Sequence, residues 1–181
     1  GALKHRHEFS VTVADCPNAC SRPQIADLGL IGAAEPGFTN EACHQCMGCV
    51  HACREGAVTH PGLLPMINSE PCVRCGSCCR VCLSGTLQVV RRGWRILLGG
   101  KLGRHPRLGT ELAGIYRREG VLAAAECCSG YYLRNARPGE RLGDLLQRLG
   151  DGELTSCILE RAAHAVNEPH RRPAPILRGP V

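Results

Sequence analysis

CHQCMGCVHAC at 43–53 and CVRCGSCCRVC at 72–82 carry one cysteine pattern twice. Each copy reads Cys-x2-Cys-x2-Cys-x3-Cys. Cys43, Cys46, Cys49 and Cys53 map onto Cys72, Cys75, Cys78 and Cys82 at a constant offset of 29 residues, and Gly56 maps onto Gly85 in the same way. Such a coincidence marks an internal duplication. Three cysteines two residues apart wrap a short loop around one corner of a cubane, because that spacing lets three thiolates converge on three irons without straining the backbone. The fourth cysteine then points away from its own loop.

The arrangement resembles the bacterial two-cluster ferredoxins, in which the fourth cysteine of each run ligates the other cluster. That resemblance implies one [4Fe–4S] cluster on Cys43, Cys46, Cys49 and Cys82, and a second on Cys72, Cys75, Cys78 and Cys53. Zinc is the competing reading, but zinc sites usually present two cysteine pairs separated by a longer loop around a tetrahedral ion. A compact, duplicated triple with a trailing cysteine suits iron–sulfur better. Two departures stand out: Arg54 follows Cys53 and Leu83 follows Cys82, where the ferredoxin run ends in Cys-Pro. Proline shapes the chain after the ligand without touching iron, so altered loops with retained clusters are expected. Cys79 is extra within the second copy and reads as a small buried hydrophobe or a spare thiol.

The chain has 181 residues, enough for one or two domains with a real core. Its 14 cysteines would suggest disulfides in a secreted protein. Eight assigned to iron instead imply a reducing compartment, and a cytoplasmic location is expected. The formal charge of +6 shrinks once metal is counted. Each cluster with its four thiolates carries about −2, leaving about +2 for the holoprotein. With aromatics at only 3%, the basic residues have no stacking context, and no nucleic-acid partner is expected. No apolar run approaches bilayer-spanning length. The sequence opens on Gly1 without a methionine, which leaves room for a lost segment and makes a fragment an expectation.

Upstream of the cysteine cassette, residues 8–14 alternate, with Phe9, Val11 and Val13 on one face, as in a half-buried strand. The strand delivers the chain to Cys16-x3-Cys20 and then to the apolar run Leu28 to Ile31. Two cysteines four apart are a weak signal alone, since a structural pair would look the same; Pro17 and Asn18 disfavour a plain helix. The whole run CPNACSRPQIADLGLIG resembles the second half of the sirohaem and [4Fe–4S] signature of sulfite and nitrite reductases. In that family Cys-x5-Cys and Cys-x3-Cys together bind a cubane, and the last cysteine bridges it to the sirohaem iron. The resemblance implies Cys16 as a cluster ligand, Cys20 as the bridging thiolate, and Asn18 and Arg22 against the cofactor.

Downstream, Arg91-Arg92-Gly93 closes the cassette, and Trp94 to Leu98 reads as a strand leading into GGKLGRHPRLGTEL at 99–112. This segment also resembles the reductases, where the equivalent strand and turn help hold sirohaem. Sirohaem carries eight carboxylates, so Lys101, Arg104 and Arg107 are candidate anion partners. Gly99, Gly100 and Gly103 would permit close approach of the backbone, and His105 shares the turn. A Walker loop fails because Leu102 follows Gly-Lys; a solvated basic loop is the plainer alternative. The remainder reads as helices packed on a sheet, with stripes Val121/Ala125/Cys128/Tyr132, Leu142/Leu145/Leu146/Leu149 and Leu154/Ile158/Ala162/Val166. Cys127, Cys128 and Cys157 read as buried residues. PGERLGDLLQRLG at 138–150 again resembles the end of the reductase domain. The proline-rich basic stretch 167–181 reads as a disordered tail. His44 and His51 read as exposed, and the eight histidines form no cluster with metal spacing.

The expected architecture is α+β: a reductase domain at 1–35 and 91–166, interrupted by a two-cluster ferredoxin domain at 36–90. The resemblance implies the C-terminal part of a sirohaem-dependent sulfite reductase of the dissimilatory or anaerobic kind, reducing sulfite to sulfide with six electrons. Its cofactors would be two ferredoxin clusters, and sirohaem coupled to a third cubane in the complete protein. Cys-x5-Cys is absent outside the quartets, so half the coupled cubane's ligands are missing, and no catalytic acid or substrate clamp is assigned. Nitrite reduction is the sister chemistry. An electron-transfer protein with a remnant reductase domain is the alternative class. An electron-donor protein or subunit is the expected partner, in a homo- or hetero-oligomer.

Overall fold

The computed structural model describes residues 9–164. Glu8, Val166 and the expected tail lie outside the described residues. In chain order the elements are β1 (Val11–Ala14), a 3-10 turn (Pro23–Ile25), β2 (Leu28–Phe38), α1 (Gly48–His51), β3 (Val58–Thr59), β4 (Met66–Ile67), α2 (Ser77–Arg80), β5 (Leu87–Leu98), β6 (Thr110–Glu111), α3 (Arg118–Asn135), α4 (Leu142–Leu149) and α5 (Gly152–His164).

A four-stranded sheet, ordered β1-β2-β5-β6, organises the chain. β1 runs parallel to β2, with Val11 opposite Leu28 and Ala14 opposite Ile31, while β2 and β5 pair antiparallel from Leu28–Leu98 to Phe38–Leu87. These two long arms run through both expected domain boundaries, 35/36 and 90/91. The Glu35-Pro36-Gly37 segment, read from sequence as punctuation, is absorbed by a bulge between Glu35 and Pro36. A bulge is where a strand tolerates a proline that cannot donate to the ladder.

Alternation along β2 and β5 splits the sheet into two unlike faces. Leu28, Leu30, Ile96 and Leu98 face the helices and join Ala124, Cys128, Tyr131, Leu142, Leu145, Leu154 and Ile158 in the main core. Each fully buried leucine or isoleucine there contributes about 1.5–3 kcal/mol by leaving water. The opposite face carries only Ala14, Ala19, Ile31 and Leu97 as a small second core. There the covering element is the Cys16–Arg22 loop rather than a helix.

Several sequence expectations shift in phase. On α3 the buried positions are Gly120, Ala124, Cys127, Cys128, Tyr131 and Tyr132, while Val121 and Ala125 are only partly covered. Leu149 is exposed although Leu142 and Leu145 are fully buried. Val11 and Val13, expected on a buried face, are 51% and 53% exposed. β1 is an edge strand, and the helices cover the sheet centre without reaching it; Phe9 alone packs inward, its ring 5.6 Å from that of Tyr132. Cys127 and Cys157, expected as separate buried thiols, form a disulfide that ties α3 to α5 across 30 residues. When the pair is oxidised, closing a loop of that length stabilises the fold by about 3–4 kcal/mol in the chain-entropy account, and a reducing compartment opposes that state. Cys128 stays a free thiol; burial, then the charge of Asp27, push it up to about 12.

Candidate metal centres

Between β2 and β5 the chain leaves the sheet, and there its backbone repeats itself. Gln45 and Arg74 both adopt left-handed conformations (φ 52° and 57°), as do Met47 and Gly76 (58° and 69°) and Gly56 and Gly85 (62° and 78°). Each pair keeps the spacing of the cysteines. A left-handed residue reverses the chain within one step, so each Cys-x2-Cys-x2-Cys run coils tightly before entering its short helix, α1 or α2. The amides of Gly56 and Gly85 then close onto the carbonyls of Cys53 and Cys82 at 3.3 Å in both copies. Non-glycine residues at positive φ are uncommon, and three of the five here, Gln45, Met47 and Arg74, lie inside these loops.

The sulfurs sit where thiolates are supported. Cys49 and Cys78 are buried at equivalent places, and Cys53, Cys79 and Cys82 pack in the same small core with Val58 and Leu87. Gln45 N–H donates to Cys43 Sγ at 3.4 Å, Ala57 N–H to Cys53 Sγ at 3.3 Å, and Leu87 N–H to Cys82 Sγ at 3.3 Å. His60 Nε2 lies 3.5 Å from Cys43 Sγ, and Ser84 Oγ 3.4 Å from Cys82 Sγ. Burial opposes the Cys82 thiolate, but Ser84 and the amides of Leu87, Gly85 and Thr86 outweigh it and hold the thiol below its ordinary value. Burial pushes Cys49 up, and the charges of Cys82 and Cys43 push it the same way. The charge of Cys82 acts on Cys49 in the first run and on Cys79 in its own. Cys79 shares a hydrogen bond with Cys78, so the extra thiol sits against an expected ligand.

Among the described residues no three His, Cys, Asp or Glu side chains converge as they would around a single ion. A cubane asks for a different geometry, since each thiolate binds its own iron and the sulfurs stay spread around the cluster. The duplicated turns and the N–H···S bonds suit that requirement.

Cys16 and Cys20 are both exposed, at the end of β1. Their loop is tied down by Ala19 N–H to Cys16 O at 3.0 Å, Arg22 N–H to Ala19 O at 2.8 Å and Ser21 Oγ to Val13 O at 2.7 Å, with Ala19 and Arg22 at positive φ. A side chain at Gly29 would collide with the Pro23 carbonyl and one at Gly32 with that of Asp15, so the loop lies directly on β2. Asn18 and Arg22 are exposed on it.

Beyond Ile31, where β1 ends, the same edge of β2 is taken by the second cysteine run. Ala34 N–H donates to Arg74 O at 2.7 Å, and Ala34 bridges Cys75 in parallel register. The end of β1, which leads into the Cys16 loop, and Cys75 thus follow one another along a single strand edge, with partners on β2 three residues or about 10 Å apart.

The Gly99–Arg107 turn packs against the Gln24–Asp27 segment. Gly99 N–H donates to Asp27 O at 2.8 Å, and Gly109 N–H to Gln24 O at 2.7 Å. The close approaches at Gly99 and Gly100 are to the protein's own backbone, at Gly143 and Gln24, while Gly103 is open. Of the three expected anion partners, Lys101 pairs with Asp144 on α4 and Arg107 Nη2 donates to Gly99 O at 3.3 Å; Arg104 and His105 are exposed. His44 and His51 are exposed as expected.

Sequence reasoning missed two polar groups. Asp27, 1% exposed, is the centre of a network with Ser10, Arg141 and Leu142. Arg95 and Glu111 form a two-pronged pair on the sheet face opposite the helices. Nothing in local sequence distinguishes either from a surface charge.

The model of a family described as the nitrite and sulphite reductase 4Fe-4S domain matches residues 4–166. The coenzyme F420-dependent sulfite reductase of Methanocaldococcus jannaschii is 30% identical over 155 residues, covering 85% of this chain and 25% of that protein. One of the subunits of the anaerobic sulfite reductase of Salmonella typhimurium is 38% identical over 111 residues, 57% of this chain and 32% of that one. The chain therefore spans about a quarter to a third of the length of these relatives. The crystal structure of dissimilatory sulfite reductase I shares the fold, with a TM-score of 0.58 at 20% identity over 94% of this chain and 47% of that chain.

Proposed function

From the premise that this chain belongs to the nitrite and sulphite reductase 4Fe-4S domain family, we propose that it is the cluster-bearing C-terminal portion of a cytoplasmic sirohaem-dependent sulfite reductase, with a two-cluster ferredoxin unit inserted between β2 and β5. One observation carries the reading: β1, which delivers the chain to the Cys16 loop, and Cys75 occupy consecutive stretches of the same edge of β2. A ferredoxin alone has no use for that sheet, and a reductase gains from it, because short separations favour fast electron transfer.

Bound sirohaem and its coupled cubane would supply the redox chemistry that takes sulfite to sulfide with six electrons. The chain's own residues hold and orient. Cys43, Cys46, Cys49 and Cys82 would hold one ferredoxin cluster, and Cys72, Cys75, Cys78 and Cys53 the other. Cys16 and Cys20 would supply half the ligands of the coupled cubane, Cys20 facing the macrocycle with Asn18 and Arg22 beside it. Arg104 is the cation of the glycine turn most exposed toward carboxylates, while Lys101 and Arg107 brace the turn against α4 and Gly99. Substrate, donor protein and the remaining cubane ligands are assigned to the rest of the complete protein or to another subunit. Absorption spectra of the complete protein test the reading: a Soret band and sulfite-dependent oxidation of reduced viologen are expected. Broad iron–sulfur absorption with neither would favour the electron-transfer alternative.

Crossed ligation makes its own prediction. Cys82→Ser is expected to remove roughly half of the inserted unit's iron, and the signal lost in electron paramagnetic resonance should be the one that Cys46→Ser also removes. Loss of the signal that Cys75→Ser removes would refute the assignment.

A further inference from the structure

The sheet face turned away from the helices carries two arginine–carboxylate pairs, Arg91 with Glu35, whose arginine is 56% exposed, and the better covered Arg95 with Glu111. Arg95 stands directly across from Ile31 in the β2–β5 register and two residues from Leu97. Both neighbours form the floor on which the Cys16–Arg22 loop rests through Ala19. Its guanidinium reaches the other way across the sheet, with Nε 2.8 Å from Glu111 Oε1 and Nη2 on Glu111 Oε2. Glu111 lies opposite Leu97 on β6, the edge strand on the far side of β5 from β2. Arg95 is largely covered, its side chain 20% exposed, and Glu111 somewhat less so at 34%.

Three layers thus follow one another across the face: the cysteine run docked on β2 at Ala34, the cation on β5, and the carboxylate on β6. Cys72 is near enough for its charge to act on Arg95, adding to the larger effect of Glu111. A two-pronged arginine–carboxylate pair fixes direction as well as distance. The positive end of this pair is turned toward the cysteines and the negative end away from them. Lysine could not hold that planar fork.

We propose that Arg95, clamped by Glu111, is a positioning residue that raises the reduction potential of the cluster held by Cys72, Cys75, Cys78 and Cys53, the cluster nearer the Cys16–Cys20 loop. Reduction adds a negative charge to a cluster, so a fixed cation beside it favours the reduced form, and hydrogen bonds and net charge are among the recognised determinants of such potentials. Arg95 pairs with Ile31, the last β2 residue opposite β1 and three residues before Ala34, where the second cysteine run docks, so its charge biases the order in which the two sites fill. The inference rests on the two-cluster reading above.

Redox titration of the complete holoprotein, followed by electron paramagnetic resonance, tests it. Arg95→Gln leaves Glu111 uncompensated, and the reduced-to-oxidised ratio of one cluster at fixed potential should fall about tenfold, a shift of 59 mV for a one-electron couple. Glu111→Gln should move the same cluster the opposite way. That variant changes an outer residue and keeps the arginine, so it remains informative if Arg95→Gln folds poorly. The cluster that moves must be the one Cys75→Ser removes, and the other should hold its midpoint. Unmoved midpoints, shifts of the same sign in both variants, or a shift confined to the other cluster would overturn the assignment of Arg95 while leaving the clusters in place. A wild-type holoprotein without ferredoxin-type signals would instead overturn the two-cluster reading and this inference with it.

Discussion

Asp27→Ala is expected to destabilise the fold by about 3–5 kcal/mol, the range for breaking a buried ion pair by deleting one partner. Asp27 is 1% exposed yet fully served. Ser10 donates from its amide at 2.9 Å and its hydroxyl at 2.7 Å, Arg141 from Nε at 3.0 Å and Nη2 at 2.6 Å, and Leu142 from its amide at 3.1 Å. The last contact is a helix cap supplied from a distance. Arg141, the N-cap residue of α4, makes no side-chain cap bond, and the Asp27 carboxylate meets the first-turn amide instead. Such a cap adds charge of the favourable sign at the positive end of the helix.

Removing the carboxylate strands a guanidinium and several donors in a core bounded by Leu28 and Leu142, and each unmet donor costs about 1–3 kcal/mol. For a domain of this size the melting temperature of the holoprotein should fall by roughly 6–20 °C. Arg141→Ala should be costly for the same reason, and the double variant less than additive, because the second deletion removes a group already stranded. A loss below about 1 kcal/mol in Asp27→Ala, or strict additivity, would show that the network does not tie α4 to the sheet.

What could be read from sequence follows the range over which each feature acts. The two cysteine runs were legible because their spacing is a local constraint: three ligands within seven residues force the same left-handed turns at Gln45 and Arg74 wherever the run is placed. The strand and the turn on either side were legible as words, CPNACSRPQIADLGLIG and GGKLGRHPRLG. Asp27 was not, because its chief partner Arg141 is 114 residues away and a lone aspartate before an apolar run looks like any surface carboxylate. Cys127 and Cys157 gave no sign of pairing, since their separation sets no geometry until α3 and α5 pack. The phase of α3 was misread for a related reason. Its small residues Ala123, Ala124 and Ala125 present no dominant face, and packing against Ile158 and Leu28, not periodicity, selects Ala124 for the core. Lys101 and Arg107 looked like free cations for want of any view of Asp144 and Gly143, which lie on another element.

The sharpest functional expectation concerns Cys20. Replacing it with serine in the complete protein should lower sulfite reduction below about a hundredth of wild type, since even outer-shell partners of a metal centre cost 10–100-fold when lost. The substitution is close to isosteric, and the loop does not depend on the sulfur. Its turns are closed by Ala19 N–H to Cys16 O and Arg22 N–H to Ala19 O, and its anchors are Ser21 on Val13 O and Ala19 in the small core. What changes is the donor: a soft thiolate that can be shared between two irons gives way to a hard hydroxyl that stays protonated near neutral pH. The ferredoxin signals should persist and remain reducible, because the quartets are built from other segments, and only the sirohaem-linked spectrum should be altered. This combination separates a bridging ligand from a structural cysteine. A structural role would leave turnover near wild type as long as the loop folds, and retained viologen oxidation in Cys20→Ser would remove Cys20 from the site.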